Sequence, residues 1–259
     1  MFAYSTATLP TDRNRGGLLT LLILGIDTAT LSCSVALLRD ETLLAEMTLK
    51  IKKTHSERLM PLLDQMLTES GIEREAIDAV AVAVGPGSFT GLRIGVATAR
   101  GLAQGLGIPA VPVCTLAALA EGVPTPGALI CPLLDARRSQ VYAALYRRRS
   151  DPPFALETLI VPAARAITDL TADLMPYDQP VIFIGEGLNS YAADLQQALP
   201  ARAVITPAPF RICHAGLVAI CGQRLLAANP LASYLELLPR YLRRPEAERL
   251  ADEQQGGSQ

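Results

Sequence analysis

The sequence has no tryptophan, only two histidines and 5% aromatic residues in 259 positions. With only His55 and His214 to draw on, and these in different halves, a two-histidine metal site and a Ser-His-Asp triad both lack material. The cysteines Cys33, Cys114, Cys131, Cys213 and Cys221 are odd in number, scattered and free of any C-x-x-C pair. Their apolar contexts predict buried reduced thiols in a cytoplasmic protein, not a disulfide framework. Positive charge is also missing: 23 Lys+Arg stand against 25 Asp+Glu, a net −2. A chain that neutralised many phosphates by itself would normally be basic, so contact with nucleic acid is expected only through a partner. No apolar run approaches the roughly 20 residues of a membrane span. Leu18–Leu24 leads into Gly25-Ile26-Asp27 and not into a small-residue cleavage site, so no secretory signal is expected.

What the chain does have is an apolar half: 50% of its residues are hydrophobic. That excludes a disordered or fibrous protein and suits one large domain or two lobes of roughly 100–130 residues. Polar ends at 1–19 and 246–259 are expected to be disordered tails.

The interior repeats. A first unit reads strand Leu21–Ile26, Asp27-Thr28-Ala29-Thr30, strand Cys33–Leu38, strand Leu43–Ile51, helix Ser56–Ser70, strand Ala79–Val84 and a helix from Phe89 to Leu106. A second reads strand Ala128–Leu134, Asp135-Ala136-Arg137-Arg138, strand Gln140–Tyr146, strand Ala155–Val161, helix Ala163–Leu174, strand Val181–Ile184 and helix Ser190–Leu199, closed by a helix at Ala215–Ala228. Both read βββαβα, each with an Asp ending its first strand and a glycine pair after its fourth. The boundary falls in Glu121–Gly127, giving lobes at 20–120 and 128–245, the last helix being able to pack back on the first lobe. This order resembles the actin-like ATPase superfamily (ribonuclease H-like, sugar kinases and Hsp70 among its members), in which two first-strand carboxylates organise Mg-nucleotide across a cleft. Asp27 and Asp135, with Thr28, match those positions. Each Asp could equally hydrogen-bond its own turn, and the residues leave both readings open.

Seven of the 19 glycines fall between Gly85 and Gly107. Gly85-Pro86-Gly87-Ser88-Phe89-Thr90-Gly91 leaves a buried strand and enters a helix, a place where free amides attract anions. It is neither a Walker A loop nor a dinucleotide fingerprint, so it is a weak phosphate site. In the helix beyond, Gly91, Gly95, Ala99 and Ala103 form one stripe of small residues, and Ala97, Gly101 and Gly105 a second beside it. Interior glycine costs a helix about 1 kcal/mol relative to alanine. A compensating close approach of another helix is therefore expected, either within the chain or across a subunit interface, and the interface is the sharper reading.

These residues carry a family resemblance. Gly85-Pro86-Gly87-Ser88-Phe89-Thr90-Gly91-Leu92-Arg93-Ile94-Gly95 resembles the signature of the TsaB (YeaZ) family, supported by Ile23–Thr30, His55–Pro61, Leu134–Arg138 and Pro239–Arg243 in the family's order. The resemblance implies an actin-like partner subunit in bacterial synthesis of threonylcarbamoyladenosine at position 37 of tRNAs reading codons that start with A. It implies the catalytic paralogue TsaD and the ATPase subunit TsaE as partners, a homodimer when alone, tRNA contact only through the complex, no membrane and no cofactor. The interface it implies comprises Gly85, Pro86, Gly87, Ser88, Phe89, Thr90, Gly91, Arg93, Gly95, Ala99 and Ala103. The catalytic paralogue carries a metal-binding His-x-x-x-His pair whose positions here are Thr115 and Leu119, neither able to replace imidazole. The chain is therefore read as a non-catalytic subunit, and an older glycoprotease label for the family finds no support in it. Ser88 fits an N-cap better than a nucleophile.

Gly185-Glu186-Gly187 resembles the adenosine-holding turn of nucleotide-binding relatives in vestigial form, and reads equally as a strand exit. Arg137, Arg138, Arg147, Arg148 and Arg149 read as one local basic cluster, ordinarily a solvated face. The alternative from a different class is an actin-like small-molecule kinase or ATPase using Asp27 and Asp135 around Mg-ATP.

Overall fold

The computed structural model describes residues 20–50, 54–151, 155–230 and 232–243. The tails expected at 1–19 and 246–259, and Ile51 at the end of the third expected strand, lie outside the described residues. The first half runs β1 (Leu22–Asp27), β2 (Cys33–Arg39), β3 (Thr42–Leu49), α1 (His55–Ser70), β4 (Ala79–Gly85), α2 (Phe89–Leu106), β5 (Ala110–Cys114) and α3 (Thr115–Glu121). The second runs β6 (Leu129–Arg137), β7 (Gln140–Arg148), β8 (Leu156–Ala166), α4 (Ile167–Leu174), β9 (Val181–Ile184), α5 (Leu188–Ala198), β10 (Ala203–Ile205) and α6 (Ala215–Ala228).

Two five-stranded sheets result, in the orders β3-β2-β1-β4-β5 and β8-β7-β6-β9-β10. In each, the first three strands pair antiparallel and the rest parallel. The duplication is thus real: this is a two-lobed actin-like α/β fold. The first unit is one strand and one helix longer than the sequence suggests, β5 with α3, and the second is one strand longer, β10.

The alternation Ala79-Val80-Ala81-Val82-Ala83-Val84 explains how β4 is covered on both faces. Its valines join α1 and α2 in one apolar cluster, and its alanines join α3 and α6 in another. Alanine lets α6 come close, so a Cβ on Gly222 would meet the Ala81 Cβ at 2.3 Å. α6 is thereby a helix of the second half seated on β1, β2, β4 and β5 of the first. The second cluster also takes in Ile130, Leu134, Ala144 and Ile184, so the lobes share one apolar core. In α1 the predicted stripe Leu59, Leu62, Leu63, Met66 and Leu67 is buried. Glu57 accepts from the Thr54 backbone N–H, and Gly71 ends the helix at φ +64°.

Three expectations need correction. The helix expected at Ala163 starts only at Ile167, because Ala163, Ala164, Arg165 and Ala166 stay in β8 and pair with β7. The basic cluster does not exist as a unit: the β6–β7 hairpin puts Arg137 and Arg138 at its turn and Arg147, Arg148 and Arg149 at its far end. Within that far group, Arg148 is a core residue, 3% exposed. Its guanidinium reaches Glu121 Oε2 at 2.8 Å and donates to the Ala120 and Val123 carbonyls at 3.0 and 3.2 Å. It thus satisfies the orphan carbonyls at the end of α3. Arg147 and Arg149 make surface pairs with Glu157 and Asp151.

Candidate functional site

The glycine segment cradles the chain's own first turn. Asp27-Thr28-Ala29 leaves β1 and lies against the start of α2, where Ser88 N–H donates to the Ala29 carbonyl at 2.7 Å and the Thr28 hydroxyl to the Gly91 carbonyl at 2.8 Å. A Cβ on Gly87 would sit 2.2 Å from the Ala29 oxygen. On Gly91 it would sit 2.1 Å from the Thr28 oxygen, and on Gly95 2.3 Å from the Thr28 hydroxyl. Glycine at every fourth position therefore makes room for a neighbouring turn, where a phosphate reading would have placed a ligand. Ser88 is the N-cap of α2 and accepts from Gly91 N–H at 3.3 Å. His55 Nε2 bonds the Thr30 carbonyl oxygen at 2.9 Å and closes the same cluster.

This reverses the expected facing of α2. Gly91, Gly95, Ala99 and Ala103 are buried against their own lobe, and Gly85 and Pro86 are buried beneath the loop. None of these six is a surface available to a partner. Of the predicted interface set, Ser88, Thr90 and Arg93 are exposed, and Gly87 and Phe89 half-buried. The outward stripe is instead Ala97, Gly101 and Gly105, all exposed. A Cβ on Gly101 or Gly105 would meet nothing within 4 Å.

A C-terminal strap braces the loop. Arg240 N–H donates to the Val84 carbonyl at 2.7 Å, and the Arg240 carbonyl sits where a Cβ of Gly85 would be, 2.4 Å away. Tyr241 stacks on Phe89 with ring centroids 4.7 Å apart and accepts from Arg93 Nε at 3.0 Å, while the Arg93 guanidinium lies 3.9 Å over the Phe89 ring. Arg243 Nη1 then donates to the Ala136 carbonyl of the second lobe at 2.9 Å. Sequence reasoning picked out Pro239–Arg243 only as a family string. Its contact with the loop is a tertiary fact with no local periodicity to announce it.

The two first-strand carboxylates behave alike. Asp27 Oδ1 accepts from Ala29 N–H at 3.1 Å, and Asp135 Oδ1 from Arg137 N–H at 2.7 Å. Each bonds its own turn. Asp27 is fully buried, and among the described residues Oδ2 has no hydrogen-bond partner. Burial raises its pKa to about 7, aided by Glu186 and opposed by the Ala29 bond and His214. Glu186 forms an ion pair with Lys50 that ties the two halves together. His214 Nδ1 meets Glu46 Oε2 at 3.2 Å, and the same carboxylate accepts from Gly216 N–H at 2.8 Å. That pairing raises the His214 pKa. Gly185, at φ +114°, and Gly187 press on Leu133 of β6. Asp27 is thus buried with one oxygen on its own turn, Asp135 is exposed with one oxygen on its own, and the glycine pair is packed against β6. At the paralogue's metal-ligand positions, Thr115 and Leu119 are both fully buried in α3. The buried thiols are inert, with Cys33 pushed up to about 11 and Cys221 to about 12 by desolvation.

A pH experiment checks the buried carboxyl. Below its unfolded pKa of 3.8, Asp27 is protonated in both states. Between there and about 7 the folded chain alone keeps the proton, so stability falls as pH rises and then levels off. Asp27→Asn removes the titration but leaves a buried amide to satisfy. Its stability relative to the parent chain should therefore rise by up to about 4 kcal/mol between pH 4 and pH 8, at 1.36 kcal/mol per unit. Urea unfolding at the two pH values reads this, and a difference that stays constant would mean that folding does not raise the Asp27 pKa.

Comparison with known proteins gives this architecture its context. A family model described as TsaD: tRNA N6-adenosine threonylcarbamoyltransferase matches residues 42–251. The tRNA threonylcarbamoyladenosine biosynthesis protein TsaB of Bacillus subtilis is 34% identical over 226 residues, covering 87% of this chain and 96% of that protein. Its namesake in Escherichia coli is 43% identical over 128 residues, 49% of this chain and 55% of that protein. Among solved structures, YeaZ from Pseudomonas aeruginosa superimposes with a TM-score of 0.69 at 29% identity, over 87% of this chain and 100% of that one.

Proposed function

We propose, from the premise that this chain belongs to the TsaB family of tRNA threonylcarbamoyladenosine biosynthesis proteins, that it is the non-catalytic subunit that binds and activates TsaD. The observation carrying this reading is the outer face of α2. Gly101 stands exposed in the interior of the helix and Gly105 in its last turn, and among the described residues nothing of the chain lies within 4 Å of a Cβ at either. Interior Gly101 weakens the isolated helix by about 1 kcal/mol relative to alanine. Close approach of a second helix compensates for that, because small residues let backbones meet. Phe89, Thr90 and Arg93 continue the face toward the helix start, where Tyr241 holds them. TsaD fills the face in the working complex, a second copy of the chain fills it in isolation, and TsaE joins the assembly. The chemistry belongs to the partner, in keeping with Thr115 and Leu119 at the metal-ligand positions and with Asp27 committed to its own turn. The chain acts in the cytoplasm; among the described residues no helix is long and apolar enough to cross a membrane.

Affinity capture tests the proposal. The purified chain should retain TsaD in a stoichiometric complex, and tRNA threonylcarbamoylation by TsaD should require it. Depleting the chain from cells should abolish threonylcarbamoyladenosine in tRNA by nucleoside mass spectrometry. TsaD that modifies tRNA equally well without the chain would overturn the activating role.

A further inference from the structure

A cavity of about 360 Å³ opens where the two halves meet beside β3, the edge strand of the first sheet. Leu38 and Leu43 of the β2–β3 hairpin line it from the first half. Ile184 of β9, Phe210, and Leu217 and Ile220 of α6 line it from the second. Gly216 lets the hairpin come up to the start of α6, since a Cβ there would sit 3.1 Å from Leu43 Cδ1 and 3.2 Å from Glu46 Oε1. Two of the lining side chains are large, apolar and open to solvent, Phe210 at 65% and Leu43 at 49%. A mainly apolar cavity of this size with a few converging polar groups is the ordinary form of a small-molecule site. Neither Asp27, Asp135 nor any residue of the Gly85–Gly91 loop lines it, so it is separate from the turns already described.

The charge of the lining has one sign. Glu46 and His214 pair at 3.2 Å, so together they carry either no net charge or one negative charge, according to whether the ring is protonated. Glu41 adds a second carboxylate, exposed and, among the described residues, without a cation within 4 Å. No lysine or arginine stands among the described residues that line the cavity. The balance is therefore negative in either state of His214. The exposed Phe210 ring offers a face that attracts cations as well.

We infer that this cavity between the lobes binds a small amphipathic cation, an amine or guanidine on an apolar stem. The stem lies among Leu38, Leu43, Leu217 and Ile220, and the charged head meets Glu41 and Glu46. An anion of the same shape would meet two carboxylates and one histidine, and a neutral molecule would gain nothing from the acids. Because the lining comes from both halves, an occupant ties the lobes together, and any ligand that binds only the folded chain raises its melting temperature. The site goes beyond the TsaD-binding role and does not depend on it.

Three probes of matched shape test the site. Phenylbutylamine, phenylbutanol and phenylbutyrate, each with the ring at the end of the chain, share a stem and differ in charge. Each is titrated into the full chain carrying labelled isoleucine and leucine methyl groups, and NMR follows Ile212 and Ile220, which line the cavity. A ligand of about a dozen heavy atoms is expected to bind in the millimolar range. The amine should shift both methyl signals saturably and bind about threefold to fivefold tighter than the alcohol, the gain expected of one exposed ion pair. The acid should bind more weakly than either. Glu41→Gln should bring amine and alcohol close to parity and leave the melting temperature of the free chain unchanged, because Glu41 is exposed. An amine that binds the parent chain no tighter than the alcohol or the acid would overturn the cation assignment. A preference for the amine that survives Glu41→Gln in full would overturn the place given to its charge. Shifts of equal size at Leu235 and Leu238, exposed apolar residues outside the cavity, would mean a general attraction of apolar amines and overturn the site. The absence of a saturable shift with any of the three would do the same.

Discussion

Gly95→Leu should lower the melting temperature steeply and leave the association of whatever remains folded unchanged. The Cβ alone would fall 2.3 Å from the Thr28 hydroxyl and 3.6 Å from Val82 Cγ2. Thr28 cannot step aside without loss. It is fully buried, and its hydroxyl satisfies the Gly91 carbonyl in the first turn of α2. The three further carbons of leucine would have to displace the Asp27–Ala29 turn, which also takes the Ser88 N–H bond. Overpacking of this kind typically costs 1–3 kcal/mol and sometimes more. With roughly 2–4 °C per kcal/mol for a chain of this size, the upper end of that range lowers the melting temperature by about 6–12 °C. Better helix propensity of leucine over glycine returns about 1 kcal/mol, which offsets only part of a clash against the buried Thr28 turn. Calorimetry for the melt, and sedimentation equilibrium below it, measure both quantities on one protein. A normal melting temperature with association lost would mean that Gly95 faces a partner after all.

That residue marks where the sequence stops being legible. Strands β1 and β4 are readable because unbroken apolar runs exist only where both faces of a strand are covered. Helix α1 is readable from its 3.6-residue spacing and its Thr54–Glu57 start. The repeat of an Asp after the first strand of each half also came through, and Asp27 and Asp135 do occupy equivalent turns. The facing of α2 did not. Two stripes of small residues lie side by side on that helix, and small size does not say which one turns inward. The decision is tertiary, made by the Thr28 turn that needs Gly91 and Gly95. A local signal was present in the flanks: Leu92 and Val96 accompany the buried stripe, while Arg93, Arg100 and Gln104 accompany Ala97, Gly101 and Gly105. Strand β5 and helix α3 were missed for another reason. Ala110–Cys114 passes straight into Thr115–Glu121 with no turn residue between them, so nothing in the sequence punctuates the change. In β8, Ala163, Ala164 and Ala166 favour helix locally, but pairing with β7 outweighs propensity.

Gly101→Leu should show the opposite combination from Gly95→Leu. Nothing lies within 4 Å of a Cβ at Gly101, so leucine there meets no part of its own chain. Replacing an interior helical glycine with a strong helix former stabilises the isolated protein by up to about 1 kcal/mol, a rise of roughly 2–4 °C. Association should move the other way. If α2 lies against a helix of TsaD, or of a second copy, the backbones meet over Ala97, Gly101 and Gly105, where no larger side chain fits. Forcing one in at 1–3 kcal/mol weakens binding roughly tenfold or more, since 1.4 kcal/mol is a factor of ten. The same variant should lose tRNA threonylcarbamoylation in proportion to TsaD binding, and regain it when TsaD is raised above the new dissociation constant. Gly101→Ala separates packing from helix propensity: it should gain most of the stability and lose much less affinity. Stability rising while association falls is a signature that no misfolding variant can produce. A Gly101→Leu chain that melts higher and still binds TsaD and itself at full strength would remove α2 from the interface. The exposed glycines would then need another compensating contact, and the proposed partner surface would have to be sought elsewhere on the molecule.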